Sequence, residues 1–200
     1  MTIYAIVNNL LGDNDLHDKP IWTVMSPSAI LQGGNPYFVP DFDSLFEARP
    51  ALTVRIGKLG KGIAPRFAHR YVDGVAPATM MIARNLLEDL RSAGLPWSKA
   101  VSYDRSLAVG PFSNLPFEEV SSAVVSLGIE KGDGADSLKF RNSLLPFDIE
   151  EIISSISRDN ALKTGDYIVV AFPGSGPKLV PGQHVQLSLN DEKPLKFNIR

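Results

Sequence analysis

The part of this chain that leaves least freedom is residues 162–190, LKTGDYIVVAFPGSGPKLVPGQHVQLSLN. Tyr167 to Phe172 is a short apolar run rich in β-branched residues, opened by Thr164-Gly165-Asp166 and closed by Pro173-Gly174-Ser175-Gly176-Pro177. An apolar run of this length, bounded on both sides by turn formers, reads as a buried strand. Pro181-Gly182 then turns the chain into a second strand, in which His184, Gln186, Ser188 and Asn190 alternate with Val185, Leu187 and Leu189. Strand side chains point to opposite faces in turn, so one face of this segment is wet and the other packed. The two strands are expected in one sheet or roll.

Two hundred residues, 44% of them hydrophobic, suffice for one substantial core, and the expectation is a single domain over residues 1–200. The balance of 20 Lys and Arg against 22 Asp and Glu leaves a net charge of −2. That supplies no basic field for a phosphate backbone, and no Lys/Arg cluster is interleaved with aromatics, which argues against nucleic acid as a partner. The absence of cysteine excludes disulfides, thiolate catalysis and Cys-ligated zinc. The start, MTIYAIVNNLLGDND, lacks the basic residues and apolar length of a secretory signal, and no run approaches the roughly 20 residues of a spanning helix. A soluble cytosolic protein without a membrane partner is therefore expected.

Along the chain, the residues predict strands at 3–7, 37–39, 51–58 and 120–127, a buried apolar segment at 75–83, and a short helix at 64–72. Asn85 to Ala93 carries Leu86, Leu87 and Leu90 on one stripe and is stopped by Gly94 and Pro96, a second short helix. Asp148 stands where it can cap a third, with Ile152, Ile153 and Ile156 on its buried stripe. Residues 130–136 read as a glycine-rich acidic hairpin or loop, without the glycine spacing of a nucleotide site. Among polar residues, His17 lies between Asp15 and Asp18, whose carboxylates raise imidazole basicity; it is a candidate acid–base group, weighed against an ordinary solvated histidine. Asp41, Asp43 and Glu47 read as a solvated acidic loop rather than a metal cluster, and His69 as a surface or capping residue.

A series of small anchors, Gly57-Lys58, Pro96-Trp97, Gly110-Pro111, Ser157, Gly165-Asp166 and Pro173, recurs in order from about Asn9 to Asn190. In that order they resemble the C-terminal catalytic domain of the fumarylacetoacetate hydrolase family, as a divergent member. The resemblance implies an α+β, mainly β fold, a mixed β-roll or β-sandwich with short helices, usually dimeric, with residues 1–19 a remnant of the N-terminal strand and lid. It implies an enzyme that hydrolyses, isomerises or decarboxylates oxo-acids and diketo-acids. Family enzymes hold Mg, Ca or Mn on three carboxylates to stabilise an enolate, and add a lysine and a His-Glu lid.

At each of those positions this sequence differs. Counted back from Gly57, the metal positions read Arg49 and Ala51, with Met80 for the third, and Glu47 as a single survivor if the register slips. The lysine falls on Val101, with Lys99 two places earlier; the lid Tyr, His and Glu fall on Leu10, Asp13 and Leu16; the substrate-holding Thr-Gly-Thr falls on Val170-Ala171-Phe172. No cofactor is therefore expected. The leading reading is a catalytically degenerate pseudoenzyme, a binding or interaction protein. Its rival is an active enzyme with altered, metal-free chemistry, in which Arg49 clamps a small carboxylic acid, with Tyr103 and Arg84 as further binding candidates and Lys99 and His17 as catalytic ones. Acidic residues elsewhere, such as Asp104 or Asp136, are the remaining candidates for a relocated metal site.

Overall fold

A computed structural model of the chain describes residues 1–10, 18–131 and 134–200, apart from the side chains of residues 135 and 136. His17 and the other lid positions, from 11 on, lie outside the described residues. In chain order the elements are β1 (Ile3–Ile6), β2 (Trp22–Met25), β3 (Ile30–Leu31), β4 (Phe46–Ile56), β5 (Val72–Ala83), helix α1 (Arg84–Ser92), β6 (Leu107–Val109), β7 (Val124–Lys131), β8 (Gly134–Arg141), helix α2 (Ile149–Asp159), β9 (Tyr167–Ala171), β10 (His184–Leu189) and β11 (Leu195–Asn198).

Seven strands form a mixed sheet in the order β2-β1-β9-β4-β5-β6-β3, in which β1 with β9 and β3 with β6 run parallel. The other four form an antiparallel sheet, β11-β10-β7-β8. This is the mainly β, mixed-sheet architecture with few short helices that the resemblance implied. The two strands of residues 162–190 do not share a sheet: β9 is central in the large one and β10 belongs to the small one. Their burial follows from that placement. Ile168, Val169, Val170 and Ala171 are buried on both sides, whereas β10 buries Val185, Leu187 and Leu189 and leaves His184, Gln186 and Ser188 wetter. The small sheet packs its apolar face on β4 and β5, and Phe140 stacks on Phe172 with ring centroids 5.1 Å apart.

β4 is longer than the residues 51–58 expected and runs through Pro50. The reason is which side of the strand the proline faces. A residue's N–H and C=O point the same way in a strand, and the Pro50 carbonyl accepts the Phe172 N–H at 2.9 Å. The donor that Pro50 lacks would thus be asked for just where β9 ends and Pro173 begins, so nothing is lost. Tyr37 makes only an isolated bridge to Ile199 instead of a strand. Residues 65–71 form a 3-10 turn. The expected strand at 120–127 is divided, Phe117–Ser122 being 3-10 before β7 starts at Val124, because the Asn142 side-chain amide donates to the Val120 carbonyl and takes it out of any ladder. In α2 the isoleucine stripe is buried as expected, and Ser157 closes it: its Oγ accepts the Ile63 N–H at 2.9 Å while its carbonyl accepts that of Gly62. Asp148 occupies the N-cap of α2 without a side-chain capping bond. No helix among the described residues is long and apolar enough to cross a membrane.

Candidate functional site

The register of β4 against β5 decides what sits at the centre of the large sheet. Arg49 is opposite Met80, Glu47 opposite Ile82, and Ala51 opposite Ala78 on β5 and Ala171 on β9. Alternation puts Glu47, Arg49, Ala51 and Thr53 on one face, as expected if Pro50 leaves the pleat intact, and Phe46, Ala48 and Leu52 on the other. Arg49 is 3% exposed and Glu47 5%. A buried guanidinium must be paired, and here Nη2 donates to Glu47 Oε1 at 2.6 Å while Nη1 donates to the Asn9 carbonyl at 3.1 Å. Asn9 in turn donates its side-chain amide to the Ala171 carbonyl at 2.7 Å. The Arg49 Nε–H, although buried, has no partner among the described residues.

The glycine loop after β9 lies directly on this strand. A Cβ on Gly176 would overlap the Ala48 carbonyl, and the chain continues alongside β4 through the bonds from Ala48 N–H to the Pro177 carbonyl and from Leu179 N–H to the Phe46 carbonyl. At its other end β9 is anchored by Gly165, whose φ of 84° is a conformation suited to glycine. Beyond it the Asp166 carboxylate accepts the N–H groups of Thr2 and Lys163.

The other candidates are scattered. Lys99 is exposed on a 3-10 turn, while Val101, at the position where the family resemblance puts a lysine, is fully buried. Arg84 is the half-buried first residue of α1. Tyr103 does not join Arg49: its ring packs edge-on against Phe46 and Phe42, on the side of the sheet that Phe46 faces. Its hydroxyl donates to the Met81 carbonyl at 2.9 Å and accepts from Tyr37 at 2.8 Å. Burial raises both phenols, Tyr37 to about 12 and Tyr103 further still, with the neighbouring Tyr37 adding to the effect. Asp43 is not simply solvated. Its carboxylate accepts the N–H groups of Leu86 and Leu45 and the Asn85 amide; burial opposes ionisation there, but those donors outweigh it and hold the acid below the usual carboxylate value. It caps α1 from a distant loop, because the helix's own N-cap residue, Ala83, has no side chain that can do so. Asp104 is spent on the Ser28 hydroxyl at 2.5 Å.

This mixed β-roll, with a glycine loop running beside its central strand pair, has the fold of the fumarylacetoacetate hydrolase C-terminal domain, as in a putative family protein from Yersinia pestis (TM-score 0.87, 20% identity, 100% of this chain and 93% of that one). The chain matches the C-terminal domain of fumarylacetoacetate (FAA) hydrolase over residues 6–199 and belongs to that family. It is 26% identical to the mitochondrial oxaloacetate tautomerase of Caenorhabditis elegans over 187 residues, 94% of this chain and 86% of that protein. The mitochondrial oxaloacetate decarboxylase of Dictyostelium discoideum is also 26% identical, over 93% of this chain and 85% of its own length. Among solved structures, fumarylpyruvate hydrolase from Pseudomonas aeruginosa in complex with Mn²⁺ and pyruvate superposes with a TM-score of 0.84 at 22% identity, covering 100% of this chain and 89% of that one.

Where the family resemblance puts metal carboxylates, at Arg49, Ala51 and Met80, the side chains present do not fit a divalent ion. Mg²⁺, Ca²⁺ and Mn²⁺ take hard, preferably anionic oxygens. Here the positions offer a guanidinium, a methyl group and a thioether, and the one carboxylate, Glu47, already neutralises Arg49. Among the described residues no group of three His, Asp or Glu side chains is placed to hold a metal. The count back from Gly57 singled out Arg49, but its pairing with Glu47 and its bond to the Asn9 carbonyl appear only once β4 and β9 are side by side.

Proposed function

We propose that this protein is a metal-independent oxo-acid protein of its family, in which Arg49 supplies the positive charge that family enzymes take from a divalent ion. One observation carries the reading: a guanidinium, buried at the register position shared with Met80, whose Nε–H has no partner among the described residues. Buried donors without a partner are rare, and a carboxylate or enolate oxygen is the acceptor that suits this one. The chemistry within reach is the keto–enol proton exchange for which several relatives are named. A proton leaves the carbon beside the carbonyl and another arrives on oxygen, with no net change in atoms; the step needs a cation beside the developing oxyanion and a proton acceptor. Arg49 and Glu47 are groups of those two kinds. We place this activity in a cytosolic homo-oligomer, although the relatives carry mitochondrial names.

A second reading has its own support. Val101, Val170 and Met80 are fully buried apolar groups where the family resemblance puts a lysine, a threonine and a carboxylate. On that reading the pocket binds a small carboxylic acid without turning it over, and the protein acts through binding or subunit association. Enol decay of oxaloacetate, followed by ultraviolet absorbance in excess EDTA, separates the two. Turnover that survives EDTA and disappears in the paired variant Glu47→Gln/Arg49→Gln supports the enzyme. Calorimetric binding of oxaloacetate without turnover, lost in the same variant, supports the binding protein. Absence of both binding and turnover would overturn the proposal.

A further inference from the structure

The edges of the two sheets are not alike. The large sheet ends in β2 and β3, of four and two residues, and the small sheet ends on one side in β11, also of four. Short edges present little backbone for another chain to pair with. The small sheet's other edge, β8, is eight residues long and pairs with β7 without a register shift. Among the described residues no backbone group from elsewhere in the chain meets its outer side.

The groups that this edge presents follow from one bond. The Asn142 N–H donates to the Ala123 carbonyl at 2.9 Å, and along an antiparallel ladder hydrogen-bonded pairs alternate with pairs that are not. Leu138 and Phe140 therefore spend their N–H and C=O groups on Leu127 and Val125, while Ser137, Lys139 and Arg141 turn theirs outward. A lysine on an edge commonly repels a partner strand, but the Lys139 ammonium is held within the chain, 3.3 Å from the Asp191 carboxylate. On the face that packs inward, Leu138 and Phe140 are only half-buried. The rim of the apolar core is thus uncovered alongside the free backbone groups.

We propose that β8 is a dimer seam, pairing antiparallel with β8 of a second copy of this chain about a twofold axis at Leu138. Outward-pointing residues must meet outward-pointing ones, so Ser137 exchanges bonds with Lys139 of the second copy and Arg141 with Ala135. This register brings the two half-buried Leu138 side chains together on the apolar face. Centring on Lys139 instead sets two ammonium groups opposite each other, and centring on Ser137 leaves Leu138 no apolar residue opposite. The seam joins the four strands of each copy into one continuous sheet, and two identical edges close on themselves as an isologous dimer. It rests on the homo-oligomer reading above, to which it gives a surface, and is independent of the chemistry at Arg49.

The test uses the full chain, which has no cysteine, so a single introduced thiol reports a single contact. The two Leu138 residues form a non-hydrogen-bonded pair, whose Cα atoms lie about 4.5 Å apart, within reach of a disulfide. Lys139 is offset from its counterpart by two residues and is beyond that reach. In light scattering at micromolar concentration the wild type is expected at twice the mass of one chain. Ser137→Pro removes an outward N–H and no bond to β7, and is expected at the mass of one chain with unchanged circular dichroism. Under mild oxidation Leu138→Cys should cross-link at least tenfold faster than Lys139→Cys. A monomeric wild type would overturn the seam and the homo-oligomer together. A dimer that persists in folded Ser137→Pro, or Leu138→Cys cross-linking no faster than Lys139→Cys, would overturn the seam alone; the thiol comparison decides should Ser137→Pro not fold.

Discussion

Replacing Arg49 by Met removes the cation at the centre of the sheet and leaves the Glu47 carboxylate buried with no counter-charge. With the two charge centres about 4 Å apart, the lost attraction is about 4 kcal/mol at an effective dielectric near 20. Stranding one member of a buried pair costs about 3–5 kcal/mol in comparable cases. The Asn9 carbonyl loses its 3.1 Å donor as well. The single variant is therefore expected to lose about 3–5 kcal/mol in urea unfolding at neutral pH, a large part of the total stability of a domain. The double variant Glu47→Gln/Arg49→Met buries no charge and recovers most of that loss, giving a coupling of at least about 2 kcal/mol in the double-mutant cycle. A loss below about 1 kcal/mol, or strictly additive effects, would refute the buried pair as the electrostatic centre of the large sheet.

Three further expectations concern the frame around the buried pair. The phenols of Tyr37 and Tyr103 are raised in the folded state, so the stability they contribute is complete below the ordinary tyrosine value of about 10 and declines as pH rises toward the value of about 12 for Tyr37. Thermal melts of Tyr37→Phe/Tyr103→Phe should lose less stability than the wild type over that window, and an identical alkaline decline would contradict the assignment. Asp43→Ala removes the remote cap of α1 and should cost about 1–2 kcal/mol at neutral pH; because Asp43 is held below its ordinary value, that difference fades as acid protonates it in the wild type. Gly176→Ala has no space for its Cβ against Ala48 and should cost at least the about 1–3 kcal/mol of an overpacked core, measured by the same unfolding assay.

Much of this fold is written locally. The alternation from His184 to Leu189, the β-branched run of β9 and the isoleucine stripe of α2 state their own burial, and the structure places them accordingly. What could not be read depended on partners far away in sequence. Pro50 is tolerated in a central strand because β9 ends beside it, the Val120 carbonyl is taken by Asn142, and the first turn of α1 is capped by Asp43, 43 residues from the Leu86 N–H it accepts. The site follows the same division. Period-two alternation put Glu47, Arg49 and Ala51 on one face, but only the strand register brings Met80 opposite Arg49 and Asn9 onto its Nη1. Tyr103 shows the limit of sequence proximity to a motif: the packing of Phe46 and Phe42 carries it to the other side of the sheet.

The proposed exchange of a metal ion for Arg49 at the centre of the large sheet is tested most directly by titrating Mn²⁺ into the wild type and into Arg49→Glu/Ala51→Glu/Met80→Asp, following the signal of the free ion by electron paramagnetic resonance. An Arg49-centred pocket predicts that the wild type leaves Mn²⁺ free while the triple variant, with three carboxylates on adjacent strands, takes it up. Low-micromolar binding of Mn²⁺ by the wild type would contradict it.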